Sequence, residues 1–79
     1  MTVMPKLPPV NDKDVVRILK KFGFFEQRQK GSHLVMKHED GRRSVVAMHN
    51  GKIIPNGTLS AILRDAEISK EEFIEALKK

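Results

Sequence analysis

Lys30-Gly31-Ser32-His33-Leu34-Val35-Met36-Lys37 gathers the side chains of this sequence best suited to chemistry. Histidine moves a proton near neutral pH more readily than any other unperturbed side chain, and cations beside it suit a phosphate-bearing substrate. Lys30 and Lys37 supply the cations, and Ser32 supplies a hydroxyl able to donate to a phosphate oxygen. Gly31 reaches backbone angles closed to other residues and lets a large partner come close, so Gly31-Ser32 reads as a tight turn opening into a strand. Along that strand His33, Val35 and Lys37 fall on one face, expected to be open, while Leu34 and Met36 fall on the other and point to a core. The pattern points to a phosphodiester. Taken alone, it also fits a plain surface histidine at a strand start.

The remaining histidines, His38 and His49, narrow the chemistry. Positions 33, 38 and 49 lack the short helical spacing of a zinc site, and His38 falls on the strand face opposite His33, so no metal site is expected. The sequence has no cysteine, which excludes disulfides and thiolate metal ligands and suits a reducing cytoplasm. Nothing in it calls for a cofactor. Fifteen Lys and Arg against ten Asp and Glu give a formal charge of +5 and a pI near 9.8, a balance that favours a polyanionic partner. Apolar runs fall far short of the roughly 20 residues that span a bilayer, and the N-terminus lacks the pattern of a secretory signal. A soluble cytoplasmic protein without a membrane partner is expected.

Seventy-nine residues suit a single domain, 1–79. Residues 1–10 hold three of the four prolines and no periodicity, and read as an extended arm over the domain. Asn11 can cap a first helix, with Asp12 and Asp14 at its positive end and Val10 and Val15 spaced as a hydrophobic staple. Val15, Ile18, Leu19 and Phe22 recur at helical spacing, placing that helix at about 12–22 with Gly23 to end it. A first strand is expected over 24–29 and a second over 33–39. Asp40-Gly41 signals a two-residue hairpin, and a third strand over 42–48 returns antiparallel to the second. That hairpin puts Arg42 and Arg43 at one end of the sheet and brings Met48 and His49 towards His33 at the other. Asn50-Gly51 lies in a loop. Asn56 is the best cap for a second helix over 57–66, and Ser69 with Glu72 forms a capping box for a last one carrying Phe73, Ile74 and Leu77. The order α-β-β-β-α-α predicts an α+β fold, a three-stranded antiparallel sheet with helices on one face, as in the double-stranded RNA-binding domain.

Several segments taken in order resemble the HicA toxins of type II toxin–antitoxin pairs, which are mRNA interferases. They are Arg28-Gln29-Lys30-Gly31-Ser32-His33, His38-Glu39-Asp40-Gly41-Arg42-Arg43, His49 with Gly51-Lys52, and Gly57-Thr58-Leu59 with Ile62-Leu63. Pro5-Lys6-Leu7-Pro8-Pro9-Val10 resembles the amino end of one branch, and the likeness runs from Pro5 to about Leu77. Two departures flank the expected site. Val46-Ala47-Met48-His49 stands where the family often has Val-Pro-x-His, and Asn56 separates Pro55 from Gly57-Thr58-Leu59.

The resemblance implies metal-independent mRNA cleavage with His33 as the catalytic residue, restrained by a HicB-like antitoxin. Such a reaction uses the ribose 2′-hydroxyl as nucleophile, with a base for its proton and cations for the developing charge. Arg28, Lys30, Gly31, Ser32, Lys37, Arg42, Arg43 and His49 are the expected RNA contacts, and His38 is expected to be a packing residue. The alternative is a non-catalytic RNA-binding module of the same fold, with His33 as one contact among several. An antitoxin that masks this basic face is expected to be acidic where it docks.

Overall fold

The computed structural model describes residues 7–79, so the first part of the expected arm, residues 1–6, lies outside the described residues. The chain forms α1 (Asp12–Lys21), β1 (Phe25–Lys30), β2 (His33–Lys37), β3 (Arg43–Ala47), α2 (Asn56–Ala66) and α3 (Lys70–Leu77). The three strands make one antiparallel sheet in the order β1-β2-β3, giving the expected α+β arrangement.

Each helix has a local cause. Asn11 caps α1 by accepting the Asp14 N–H at 2.8 Å, and Val10 and Val15 on either side of that cap are both buried. At the other end the Phe24 N–H reaches the Leu19 carbonyl and the Gly23 N–H the Lys20 carbonyl, each at 3.0 Å. This terminal pattern needs a left-handed residue, which Gly23 supplies at φ +93°. Ser69 and Glu72 form the reciprocal capping box of α3, and the Ser69 N–H holds the Glu72 carboxyl below its ordinary value. α2 departs from expectation. Asn56 is its first residue rather than its cap, because the Pro55 carbonyl already accepts from Leu59 N–H at 2.9 Å, and no side chain caps this end.

The core lies between the sheet and the helices. Val15, Ile18, Leu19, Leu34, Met36, Val46, Leu59, Leu63 and Phe73 belong to it, together with Leu7 and Val10 from the described part of the arm. Truncating a residue such as Phe73, which is wholly buried, costs about 3–5 kcal/mol in a core of this kind. Ser44 is also buried, and its hydroxyl donates to the Ile62 carbonyl at 3.0 Å, tying β3 to α2. The arm ends by running antiparallel to the loop after β3, with Ile54 N–H donating to the Val10 carbonyl at 2.9 Å.

The hairpin between β2 and β3 differs from the expected two-residue turn. His38 N–H donates to the Arg42 carbonyl and Gly41 N–H to the His38 carbonyl, each at 2.9 Å, so three residues, Glu39 to Gly41, make the loop. Gly41 sits at φ +100°, the extra positive-φ residue that a three-residue loop needs and a two-residue reading overlooks.

Candidate active site on the open face of the sheet

Residues paired across antiparallel strands point to the same side, so the register defines the sheet face turned away from the helices. It carries three rows: Phe25, Lys37 and Arg43; Arg28, Val35 and Val45; Lys30, His33 and Ala47. These nine positions hold four cations and one histidine, and no carboxylate. The last feature depends on a β-bulge between Glu26 and Arg28. An unbroken register would put Glu26 on this face. The extra residue puts Phe25 there instead and turns Glu26 to the other side, where it pairs with Lys20 at 2.6 Å.

His33 is exposed and occupies the middle of its row. Its row-mate Lys30 is reached through the two-residue Gly31-Ser32 turn, with Gly31 at φ +59°, as a hairpin of this length requires at its first central residue. A Cβ on Gly31 would meet nothing within 4 Å, so the turn stands clear of the body of the protein. On the far side of β2, Ser32 accepts the Met48 N–H at 2.6 Å, which fixes the exit of β3 beside the turn. Lys37 and Arg43 lie four residues along the strands, about 13 Å away at ~3.3 Å per residue, so the cations form two groups with Arg28 between them. Val35 was expected on an open face and lies on that side, but it is only 6% exposed, because it sits at the centre of the grid between the Arg28 and Val45 positions.

Arg42 lies elsewhere than expected. It does not face the grid with its neighbour Arg43. Its guanidinium donates to the Ala66 carbonyl at the end of α2 (2.7 Å) and to Asp40 (2.8 Å), and lies 5.2 Å from the Phe24 ring centre. The Arg42 N–H, with its guanidinium in support, holds the Asp40 carboxyl below the usual carboxylate range. His38 is a packing residue as expected: it meets Phe24 edge-on with ring centres 5.2 Å apart, and its Nδ1 accepts the Asp40 N–H at 3.1 Å.

His49 is exposed in the loop after β3, and the loop is held by Asp12, expected only as a partner of the α1 dipole. Asp12 is wholly buried, and its carboxylate accepts the backbone N–H groups of His49 at 2.5 Å and Gly51 at 3.3 Å. The His49 N–H is the main reason its carboxyl lies below the ordinary 3.8. Thirty-seven residues separate the partners, so no local pattern announces the bond. Beside this loop opens a cleft of about 350 Å³, whose walls include Ala47, His49, Lys52 and Thr58. Ala47 is also the cross-strand partner of His33, so cleft and histidine share one corner of the domain.

Among the described residues no three His, Cys, Asp or Glu side chains gather closely enough to hold a metal ion, and no helix is long and apolar enough to cross a membrane. The arrangement offers a proton acceptor in reach of solvent, cations on one continuous surface, and a turn that a bulky polyanion can approach. Residues 13–68 match the model of a family described as the HicA toxin of bacterial toxin–antitoxin systems. Comparison with curated proteins finds no match.

Proposed function

This chain belongs to the HicA toxin family of bacterial toxin–antitoxin systems, and from that premise we propose that it is an mRNA-cleaving endoribonuclease acting through His33 without a metal. The observation that carries the reading is the open face: four cations on the same surface as an exposed histidine, with the nearest strand carboxylate turned away by a bulge. A surface of that kind attracts the RNA backbone, and its histidine is free of the packing that engages His38.

In the proposed reaction His33 accepts the proton of a ribose 2′-hydroxyl. The 2′-oxygen bonds to the adjacent phosphorus and the bond to the 5′-oxygen breaks. The products are a 2′,3′-cyclic phosphate and a 5′-hydroxyl, which takes its proton from the imidazolium or from water. Lys30 and Arg28 stabilise the charge gathering on the non-bridging oxygens, and Ser32 donates a hydrogen bond to one of them. Gly31 lets the backbone approach. Lys37 and Arg43 hold the strand further along, and His49 contacts the substrate. Arg42 is left out of this set, since its donors are engaged within the fold. General base catalysis by one group contributes about 10²–10⁴-fold, enough for a toxin that needs few cuts per message.

A cytoplasmic HicB-like antitoxin, acidic at its docking surface, restrains the toxin by covering His33. The same cations would also serve a module that binds RNA without cutting it, and one residue separates the two readings. Expression of the chain alone is expected to degrade mRNA and slow growth, and His33→Ala to be folded and harmless. A toxic His33→Ala protein would overturn the catalytic role.

A further inference from the structure

Two clefts on the described surface differ in chemistry. The first, about 390 Å³, lies between the end of α1 and α3, and its wall includes Glu72 and Glu75. Lys21 and Lys79 line it too, so its charges are mixed, and none of the nine open-face residues borders it. The second is the 350 Å³ cleft beside His49. Its volume lies within the usual range for sites that enclose a small ring system. Its lining combines apolar residues, Ile53, which is 60% exposed, with Ile54 and Pro55, and polar ones, Lys52, His49 and Thr58. No carboxylate lines it.

A large exposed isoleucine and polar, cationic groups lining one small cleft suit a flat ring with hydrogen-bonding edges and a phosphate attached. α2 adds to this: it begins at the cleft with no side-chain cap and no acidic residue in its first turn, leaving backbone donors for an anion. The loop itself is held from behind by Asp12, so the cleft wall is preset.

We propose that this cleft receives one unstacked nucleotide of single-stranded RNA, next to the phosphate presented to His33. The base lies against Ile53 and Pro55, its edge meets Thr58 and His49, and Lys52 holds the neighbouring phosphate. The connection through Ala47, shared by the cleft and by the row of His33, makes the two sites continuous. This rests on the ribonuclease reading for its biological meaning. It adds to that reading a preference for single strands and a subsite where bases are discriminated.

The test uses the full chain carrying His33→Ala, so that RNA stays intact. Short single-stranded oligoribonucleotides and duplexes of the same sequence are titrated while the Ile53 methyl and the Thr58 and Lys52 amides are followed by NMR. The single strand is expected to shift these signals, with the duplex shifting only strand residues such as Arg28 and Lys30. Ile53→Ser, an exposed change, should weaken single-strand binding by about tenfold, the scale of losing part of one apolar side chain's burial. Signals at Ile53 and Thr58 that ignore RNA, or an Ile53→Ser protein with unchanged affinity, would overturn the proposal. So would signals that respond to the antitoxin and not to RNA, which would make the cleft a protein-docking groove. Because binding is read on a protein that cannot cut, failure of the wild type to cleave would sink the ribonuclease reading without moving this result.

Discussion

The two ends of β2 use the same residue types for opposite purposes. At one end Gly31, His33 and Lys30 are exposed, and the turn is held by local bonds such as that from the Gln29 side chain to the Gly31 carbonyl at 3.2 Å. At the other end Gly23, His38 and Arg42 interlock with Phe24, Asp40 and the end of α2. Both ends hold a glycine, a histidine and a cation; what differs is whether the polar atoms already have partners. A histidine whose ring is packed and whose Nδ1 has a partner serves the fold, and one left facing solvent among cations is available to a substrate.

The sharpest way to break that comparison is to truncate both histidines. His33→Ala is expected to lower kcat/KM for RNA cleavage by roughly 10²–10⁴-fold while stability changes by no more than about 0.5 kcal/mol. His38→Ala should do the reverse. It removes the edge contact to Phe24 and the acceptor for the Asp40 N–H, costing about 1–2 kcal/mol, or about 4–8 °C in melting midpoint per kcal/mol. Well below that midpoint its cleavage rate should match the wild type. Parallel melting curves and single-turnover rates decide the matter, and equal losses of activity in the two variants would end the distinction.

The glycines sharpen it next. A Cβ on Gly23 would stand 2.7 Å from His38 Nε2 at φ +93°, whereas one on Gly31 would meet open space at φ +59°. Gly23→Ala should therefore cost about 2–3 kcal/mol, strain plus displacement of His38, and Gly31→Ala only about 1 kcal/mol of backbone strain. Urea midpoints measure both. If the two variants lose the same stability, the close packing at the His38 end is not what holds the hairpin.

What the sequence made legible follows the same division. α1 and α3 were readable because Asn11, Val10, Val15, Ser69 and Glu72 act within one or two turns. The face of His33 was readable from alternation alone. The bulge that exchanges Glu26 for Phe25 was not, since a bulge is set by how a strand fits its partner. Arg42 was grouped with Arg43 because they are adjacent, yet successive strand residues point to opposite faces, and the carbonyl that draws Arg42 inward lies 24 residues on. Asp12 was hidden for the same reason, as its partners belong to a distant loop.

Asp12 supplies a third test, smaller in effect because it acts on the site only through the His49 loop. Its carboxyl is lowered from 3.8 in the folded chain, so the stability it lends is fully present above about pH 4 and drains away as pH falls through the lowered value. Asp12→Asn keeps the shape and loses the charge. It should be less stable than wild type at neutral pH and lose less on acidification from about pH 4 to pH 2, with cleavage moderately reduced. Urea midpoints across that range check the sign, and an acid slope equal to that of the wild type would show that the two backbone donors do not favour the ionised form.

The smallest expected effect returns to the cations at the two ends. A phosphate contact reveals itself through salt: each one lost lowers the slope of log affinity against log salt by a fraction of a unit up to about one. Lys30→Ala, on the open row with His33, should reduce the slope of RNA binding in this way while leaving the melting midpoint unchanged. Arg42→Ala removes the same formal charge, so a surface that merely attracts RNA by total charge would respond to both alike. If position decides, the Arg42 variant loses stability, because the Ala66 carbonyl and Asp40 lose their donor, yet keeps the wild-type slope. Lys37→Ala, on the open face but half-buried beside Arg43, should fall with Lys30 rather than with Arg42. Filter-binding isotherms at four or five salt concentrations resolve a difference of this size. Should Arg42→Ala lower the slope as much as Lys30→Ala, the interlocked end of β2 would have to open when RNA binds, and the division between the two ends would hold only for the free protein.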